Sequence, residues 1–413
     1  MQEVVEKYLK CGHSYDFDYE DPPEIDYEAN LIESCMCLDK MAKEKVLNTH
    51  HEYQNPVYLL SGGLDSSWLV SYLKGMNIDT VCISSWNEPD VEYAKIMSDF
   101  IGSKHRVLST IDMKVTPDLL HNYVQRSVLP TCLPIGLFWF LVSRIISKEG
   151  QYDGIITGDG IDTTMIEDPV EQCIRLAILR GEYSIQKCQK YARDSYLGEV
   201  KGWIKDLFRD DPFPKEYIGN FRSIYDYLFT DEEIEDLGLN VFQYQLRKED
   251  VYHLFQVFLE YKKSTNNMFF GMSDVEMRSP LFESPIDHYC MRLPFEMREC
   301  ANVKKLPVRE ICFRNGVPEE IFKRKKLDWK SQYAHRTGEF KRYHLPFDYS
   351  VELGDMNELV TEYLHNPNRK IFNLINFESC QKFVAYKDQM TMKIWSLLLL
   401  SMWMENNHES ISL

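Results

Sequence analysis

Short apolar runs alternate with amphipathic stretches through the first part of the chain. Val57-Tyr58-Leu59-Leu60, Thr80-Val81-Cys82-Ile83-Ser84, Arg106-Val107-Leu108 and Gly154-Ile155-Ile156-Thr157 have the length and composition of buried strands. Between them, helical apolar spacing marks the segment after Ser66, then residues 91–101 and 135–148. This order predicts βαβ units closing into a parallel sheet, with ligands gathered at the carboxyl ends of the strands. The fold class is therefore read as α/β with a mostly helical remainder. Four parts follow from the pattern: an N-terminal arm and helix (1–54), the α/β core (55–165), a mostly helical insert (166–263) and a helical C-terminal part (264–413). The arm carries the acidic, aromatic run Tyr15-Asp16-Phe17-Asp18-Tyr19-Glu20-Asp21-Pro22-Pro23, and residues 28–50 have helical character. The run from Ile394 to Trp403 is too short to span a bilayer and reads as a buried helix.

Composition narrows the picture. In 413 residues, 44% hydrophobic and 27% charged is ordinary for a globular chain with a sizeable core. The 47 basic against 64 acidic residues leave a net charge of −17, which argues against long nucleic acid as a partner. The clearest basic patch is Lys323-Arg324-Lys325-Lys326. Eleven cysteines show no metal-ligand spacing beyond a lone Cys35-X-Cys37. The odd count, with no signal-like segment at Met1-Gln2-Glu3, points to a reducing cytoplasmic setting and to no membrane partner.

The chemistry concentrates in Ser61-Gly62-Gly63-Leu64-Asp65-Ser66-Ser67, between the first strand and the first helix of the core. Two glycines allow a tight turn with its N–H groups pointing inward, and a helix N-terminus adds partial positive charge. Hydroxyls of Ser61, Ser66 and Ser67 add donors for phosphate oxygens. Asp65 would repel a bare phosphate, so its place is explained by a magnesium ion bridging to the phosphates. No Gly-Lys-Ser/Thr follows, so the loop is not built to clamp a γ-phosphate for transfer. A second segment, Gly158-Asp159-Gly160-Ile161-Asp162, follows the strand at Ile155-Ile156. Its glycines permit close approach of the backbone, and its two acids suit a metal and a substrate ammonium. A solvated Gly-Asp-Gly turn is the plainer alternative.

Together these residues resemble the pyrophosphate loop of the ATP pyrophosphatases, which cleave ATP between the α- and β-phosphates, and most closely the synthetase domain of asparagine synthetase and β-lactam synthetase. The Gly158–Asp162 segment is similar to that family's Gly-Glu-Gly-Ala-Asp-Glu. In the same order, Asp90-Val91-Glu92-Tyr93-Ala94 resembles its Asp-X-X-Tyr-Ala helix start, and Leu133-Pro134 its Ser/Thr-Pro. Glu276-Met277-Arg278-Ser279-Pro280-Leu281-Phe282-Glu283 resembles Glu-Val-Arg-X-Pro-Phe-Leu-Asp. Lys305-Leu306-Pro307-Val308-Arg309 and Pro318-Glu319-Glu320…Arg324-Lys325-Lys326 match its Lys-X-X-Leu-Arg and Pro-Glu-Glu-X-X-X-Arg-X-Lys runs. The resemblance implies an adenine nucleotide alpha hydrolase-like, Rossmann-like core. It also implies ATP and Mg2+ as cofactors, with ATP held by Ser61, Gly62, Gly63, Leu64, Asp65, Ser66, Ser67, Ile83 and Gly158. Asp65 and Asp162 stand as metal ligands in this reading, and Lys326 and Asp159 as catalytic residues. Lys326 would stabilise charge at the acyl-adenylate, and Asp159 would orient or deprotonate the attacking amine. Arg278 with Glu276 reads as an internal ion pair shaping the site.

Three departures qualify the resemblance. Only residues 1–54 precede the synthetase strand, so no glutaminase domain is expected and the nitrogen would come from an amine or ammonia. The family's Glu in Gly-Glu-Gly is Asp159 here, and its final acid is Thr163. The usual Asp-Arg is replaced by Asn267-Met268. The reading implied is an ATP-dependent, AMP-forming carbon–nitrogen ligase acting on a small-molecule or peptide carboxylate. An enzyme modifying a nucleobase or nucleotide, and a non-catalytic nucleotide-binding relative, remain as alternatives.

Overall fold

The computed structural model describes residues 26, 28–84, 88–109, 115–128, 134–165, 269–300, 303–324, 356–373, 377–385 and 391–406. Helix α1 (Leu31–Glu52) begins at Asn30, whose side chain accepts from the N–H groups of Ile32 and Glu33. Then β1 (Pro56–Leu59), α2 (Leu64–Ser71), β2 (Asp79–Ser84), α3 (Glu88–Ile101) and β3 (Lys104–Ser109) follow in strict alternation. Helices α4 (Pro117–Arg126) and α5 (Pro134–Ser147) lead to β4 (Gly154–Ile156) and the short α6 (Ile161–Thr164). Thr116 caps α4 through a bond from Leu119 N–H, and proline occupies its first turn.

The predicted parallel sheet is present, with strands in the order β3-β2-β1-β4-β5. Its last member, β5 (Glu276–Arg278), comes from the part read as helical and pairs in parallel with β4, Ile155 opposite Met277. Neighbouring strands β1 and β2 are in register at Tyr58 and Thr80, and β1 and β4 at Val57 and Ile155. The chain runs outward from β1 through β2 to β3, then returns to the other side of β1 as β4. The reversal therefore lies between β1 and β4, where open α/β sheets hold ligands.

Alternate residues of the sheet feed two cores. Val57, Leu59, Val81, Ile155 and Met277 face one side, under α4, α5 and the C-terminal helices α11 (Asn357–Leu364), α12 (Phe377–Ala385) and α13 (Thr391–Asn406). Tyr58, Leu60, Cys82 and Ile156 face the other, under α1, α2 and α3. That side also carries α7 (Ile286–Arg292) and α9 (Leu306–Arg314); α8 (Phe295–Arg298), the hairpin β6–β7 (Glu299–Cys300, Val303–Lys304) and α10 (Glu319–Phe322) complete the described α-helices and strands. Ile394 and residues 397–403 of α13 are buried, and Trp403 donates its indole N–H to the Ser127 carbonyl at 2.9 Å. No helix among the described residues is long and apolar enough to cross a membrane.

Single histidines carry no catalytic expectation, and His105 has a structural place. Its Nδ1 lies 2.9 Å from the Thr80 hydroxyl, and its buried Nε2 has no partner among the described residues. Burial, with the nearby Lys95 charge adding, holds its pKa below the ordinary 6.5. The unfolded chain thus takes up a proton that the folded imidazole resists, so stability is lost as pH falls through that value. Thermal midpoints should drop between about pH 7.5 and about pH 5.5, and His105→Gln should remove part of that drop.

Candidate functional site

The loop after β1 is a preformed turn at the sheet's reversal point. Gly62 has φ +67°, and a Cβ there would stand 2.3 Å from the Ala94 nitrogen and 2.5 Å from Tyr93. Only glycine lets the turn lie flat against the start of α3, which explains why the Asp90–Ala94 motif accompanies the loop. Gly63 is the N-cap of α2 and no side chain caps that end. The first N–H groups of α2 are therefore presented at the loop with the positive end of the helix dipole.

The serines first shape the turn. Ser61 Oγ lies 3.1 Å from Ser66 Oγ and accepts from Gly63 N–H, while Ser66 Oγ also accepts from Ser61 N–H at 3.2 Å. Ser67 Oγ is buried with no partner among the described residues. Ile83 is half-buried near the end of β2, next to β1, and packs on the first core.

The loop after β4 meets this turn directly. A Cβ on Gly158 would be 2.9 Å from both the Asp65 carbonyl carbon and the Ser66 nitrogen. Gly158, Asp65 and Ser66 are thus brought together, and α6 starts at Ile161 with Asp162 in its first turn. The backbone of Asp159 is fixed at both ends. Its N–H donates to Thr157 Oγ1 at 3.2 Å, and its carbonyl accepts from Ser279 Oγ. Gly160 has φ +93° and sits on the Phe282 ring, so the segment is seated on the turn after β5. Gly158→Ala should push the two loops apart, weakening ATP binding about tenfold and costing about 1–3 kcal/mol of stability. A nucleotide titration and a thermal melt of the variant check both.

Two cations that belong to the matched motifs, but to which the sequence assigns no role, reach the loop. Lys305 Nζ stands 2.5 Å from Asp65 Oδ2, and its side chain is 2% exposed. Arg324, 10% exposed, donates to the Gly62 carbonyl at 3.3 Å, pairs with Asp90 and lies 4.2 Å over the Tyr93 ring. It therefore fastens the Pro318–Arg324 run to the loop and to α3. Lys326, two residues further on, lies outside the described residues, as do 166–268.

Arg278 does not take Glu276 as its ion-pair partner, contrary to the expectation from sequence. Its guanidinium is bound by Glu283, with bonds at 3.1 and 2.6 Å, and by Glu52 at the end of α1. Glu283 also meets Lys45 at 2.7 Å. The turn after β5 brings Glu283 back alongside Arg278, and the two cations hold the Glu283 carboxyl below its ordinary pKa despite its burial. This network joins α1 to β5 beside the site.

Among the described residues, no group of three or more His, Cys, Asp and Glu side chains is arranged to hold a metal ion. A protein-only metal cage is therefore not built there. Asp65 and Asp162 suit magnesium, which takes oxygen ligands, keeps several waters and is commonly completed by substrate phosphates.

The family model described as asparagine synthase matches residues 51–167 and 243–405, more than half of the chain. The matched segments span the sheet, both loops and the C-terminal helices. No curated protein matches the chain.

Proposed function

The chain belongs to the asparagine synthase family of ATP-dependent amide-forming ligases, and from that premise we propose that it adenylates a carboxylate and couples it to an amine or ammonia. The observation that carries this reading is the join between the two loops. Gly158 touches Asp65 and Ser66 at the sheet's reversal point, beside an uncapped helix N-terminus and a buried lysine.

In the first step a substrate carboxylate oxygen forms a bond to the α-phosphorus of ATP. The bond from that phosphorus to the β-bridging oxygen breaks, and pyrophosphate leaves. Charge gathers on the leaving group, and the N–H groups at the start of α2 with the loop hydroxyls are aimed to receive it. Asp65 and Asp162 would hold magnesium, whose charge would neutralise the phosphates when it is bound. In the second step an amine nitrogen attacks the acyl carbon, and the carbon–oxygen bond to AMP breaks. Asp159, with its backbone fixed by Thr157 and Ser279, would orient the amine or accept its proton. Lys326 is assigned the charge at the acyl-adenylate, and Arg324 anchors the run that leads to it.

The carboxylate is found by an ATP–pyrophosphate exchange screen against pools of amino acids, peptides and nucleotides. The proposal expects exchange that depends on a carboxylate compound. Exchange that depends only on a nucleobase would transfer the chemistry to base modification, and no exchange with any pool would leave a non-catalytic binding role.

A further inference from the structure

A lysine ammonium stands against the carboxylate proposed above as a metal ligand. Lys305 Nζ stands 2.5 Å from Asp65 Oδ2 with its side chain almost wholly buried, and Asp65 is the residue proposed above to hold magnesium. The local backbone is specialised to deliver that ammonium. Lys305 is the one non-glycine with positive φ among the described residues, at φ 55° and ψ 44°. Such a conformation is disfavoured for a residue with a Cβ and marks a position whose side chain is needed. It is locked from both sides. Strand β7 ends at Lys304, whose carbonyl accepts from Arg309 Nε at 2.7 Å, and the Lys305 carbonyl accepts from Arg309 N–H at 3.0 Å. Helix α9 then runs from Leu306 and packs on α2. The hairpin, the left-handed residue and α9 together aim Lys305 at the first turn of the loop helix.

We infer that Lys305 is an exchangeable counter-ion of the loop. In the nucleotide-free protein its ammonium neutralises Asp65; when a magnesium-bound triphosphate enters, Asp65 passes to the metal and Lys305 to phosphate oxygens of the leaving pyrophosphate group. The inference rests on the reading of the loop as an ATP site. The arrangement keeps a half-buried carboxylate compensated in both states, which avoids leaving a desolvated charge alone in either. A lysine suits the task better than an arginine. Its single charged atom sits on a four-carbon stem, so it can change partners by side-chain rotation while its backbone stays locked. No proton is exchanged, and no covalent bond changes.

The test uses the purified full chain and two probes. One is manganese binding without nucleotide, read by electron paramagnetic resonance. The other is inorganic pyrophosphate binding in the presence of a chelator, read by calorimetry. Lys305→Met should bind manganese about tenfold more tightly than the wild type, because its competitor is gone. Asp65→Asn should bind metal-free pyrophosphate about tenfold more tightly, and Asp65→Asn/Lys305→Met should lose that gain. The double variant removes both charges at once and keeps the test open where Lys305→Met alone does not fold. Unchanged manganese affinity in Lys305→Met, or a pyrophosphate gain that survives in the double variant, overturns the exchange and leaves a static ion pair. A wild type that binds neither pyrophosphate nor magnesium–ATP overturns the nucleotide reading beneath it, which is a different failure.

Discussion

Asp65→Ala is expected to lower carboxylate-dependent ATP–pyrophosphate exchange by at least about a hundredfold, the scale seen when a charge-stabilising group is removed from a closed site. Asp65 sits in the first turn of α2 and is touched by the backbone of Gly158 from the neighbouring loop. Its loss removes a proposed metal ligand where, in the proposed reaction, leaving-group charge would collect. A second effect accompanies the first. Lys305, buried and paired with Asp65, would be left as a buried charge without that partner, at a cost of about 3 kcal/mol. Asp65 is itself 23% exposed, so water relieves part of this cost. Urea unfolding measures the stability loss, and exchange assayed where the variant is fully folded isolates the chemical one. Full exchange activity in folded Asp65→Ala would remove Asp65 from the mechanism.

Gly62→Ala should cost both a strained backbone and a collision with α3. At φ +67° an alanine adopts a left-handed backbone at a cost of about 1–2 kcal/mol. Its methyl would also meet the backbone of Tyr93 and Ala94 at 2.3–2.5 Å, so α3 or the loop must move. Overpacking of that kind adds about 1–3 kcal/mol, giving a total of roughly 3 kcal/mol. Movement of the loop would also break the Arg324 contact to the Gly62 carbonyl, so ATP binding should fall with stability. Gly75→Ala is the control. Gly75 has φ +80°, and nothing lies within 4 Å of the point where an alanine methyl would stand, so only the backbone cost of about 1–2 kcal/mol applies. Equal losses in the two variants would show that the collision with α3 does not exist.

The sequence made the nucleotide side legible because its signals are local. Buried strands such as Val57–Leu60 are nearly continuous apolar runs, and a glycine turn between strand and helix has few other uses. Strand β5 was not legible as a strand: Glu276-Met277-Arg278 offers one apolar residue, and its partner β4 lies more than a hundred residues upstream. Long-range charge pairing was equally hidden. Lys305 stands 240 positions from Asp65, and Arg278 finds Glu52 at 226 rather than the nearby Glu276. The basic run at 323–326 shows why composition misleads. Lys323 is 67% exposed and pairs with Glu319 in the preceding helical turn, as a solvated face would, whereas Arg324 beside it is largely covered and bonds the loop. Residue type alone did not separate the two; only the packing of α10 against α2 and α3 does.

The proposed reaction turns on attack of a carboxylate on the α-phosphorus of ATP. With the exchange-active substrate labelled by oxygen-18 in its carboxylate, label is expected in AMP, with release of unlabelled pyrophosphate and an amide product. Label recovered in inorganic phosphate together with ADP would contradict it.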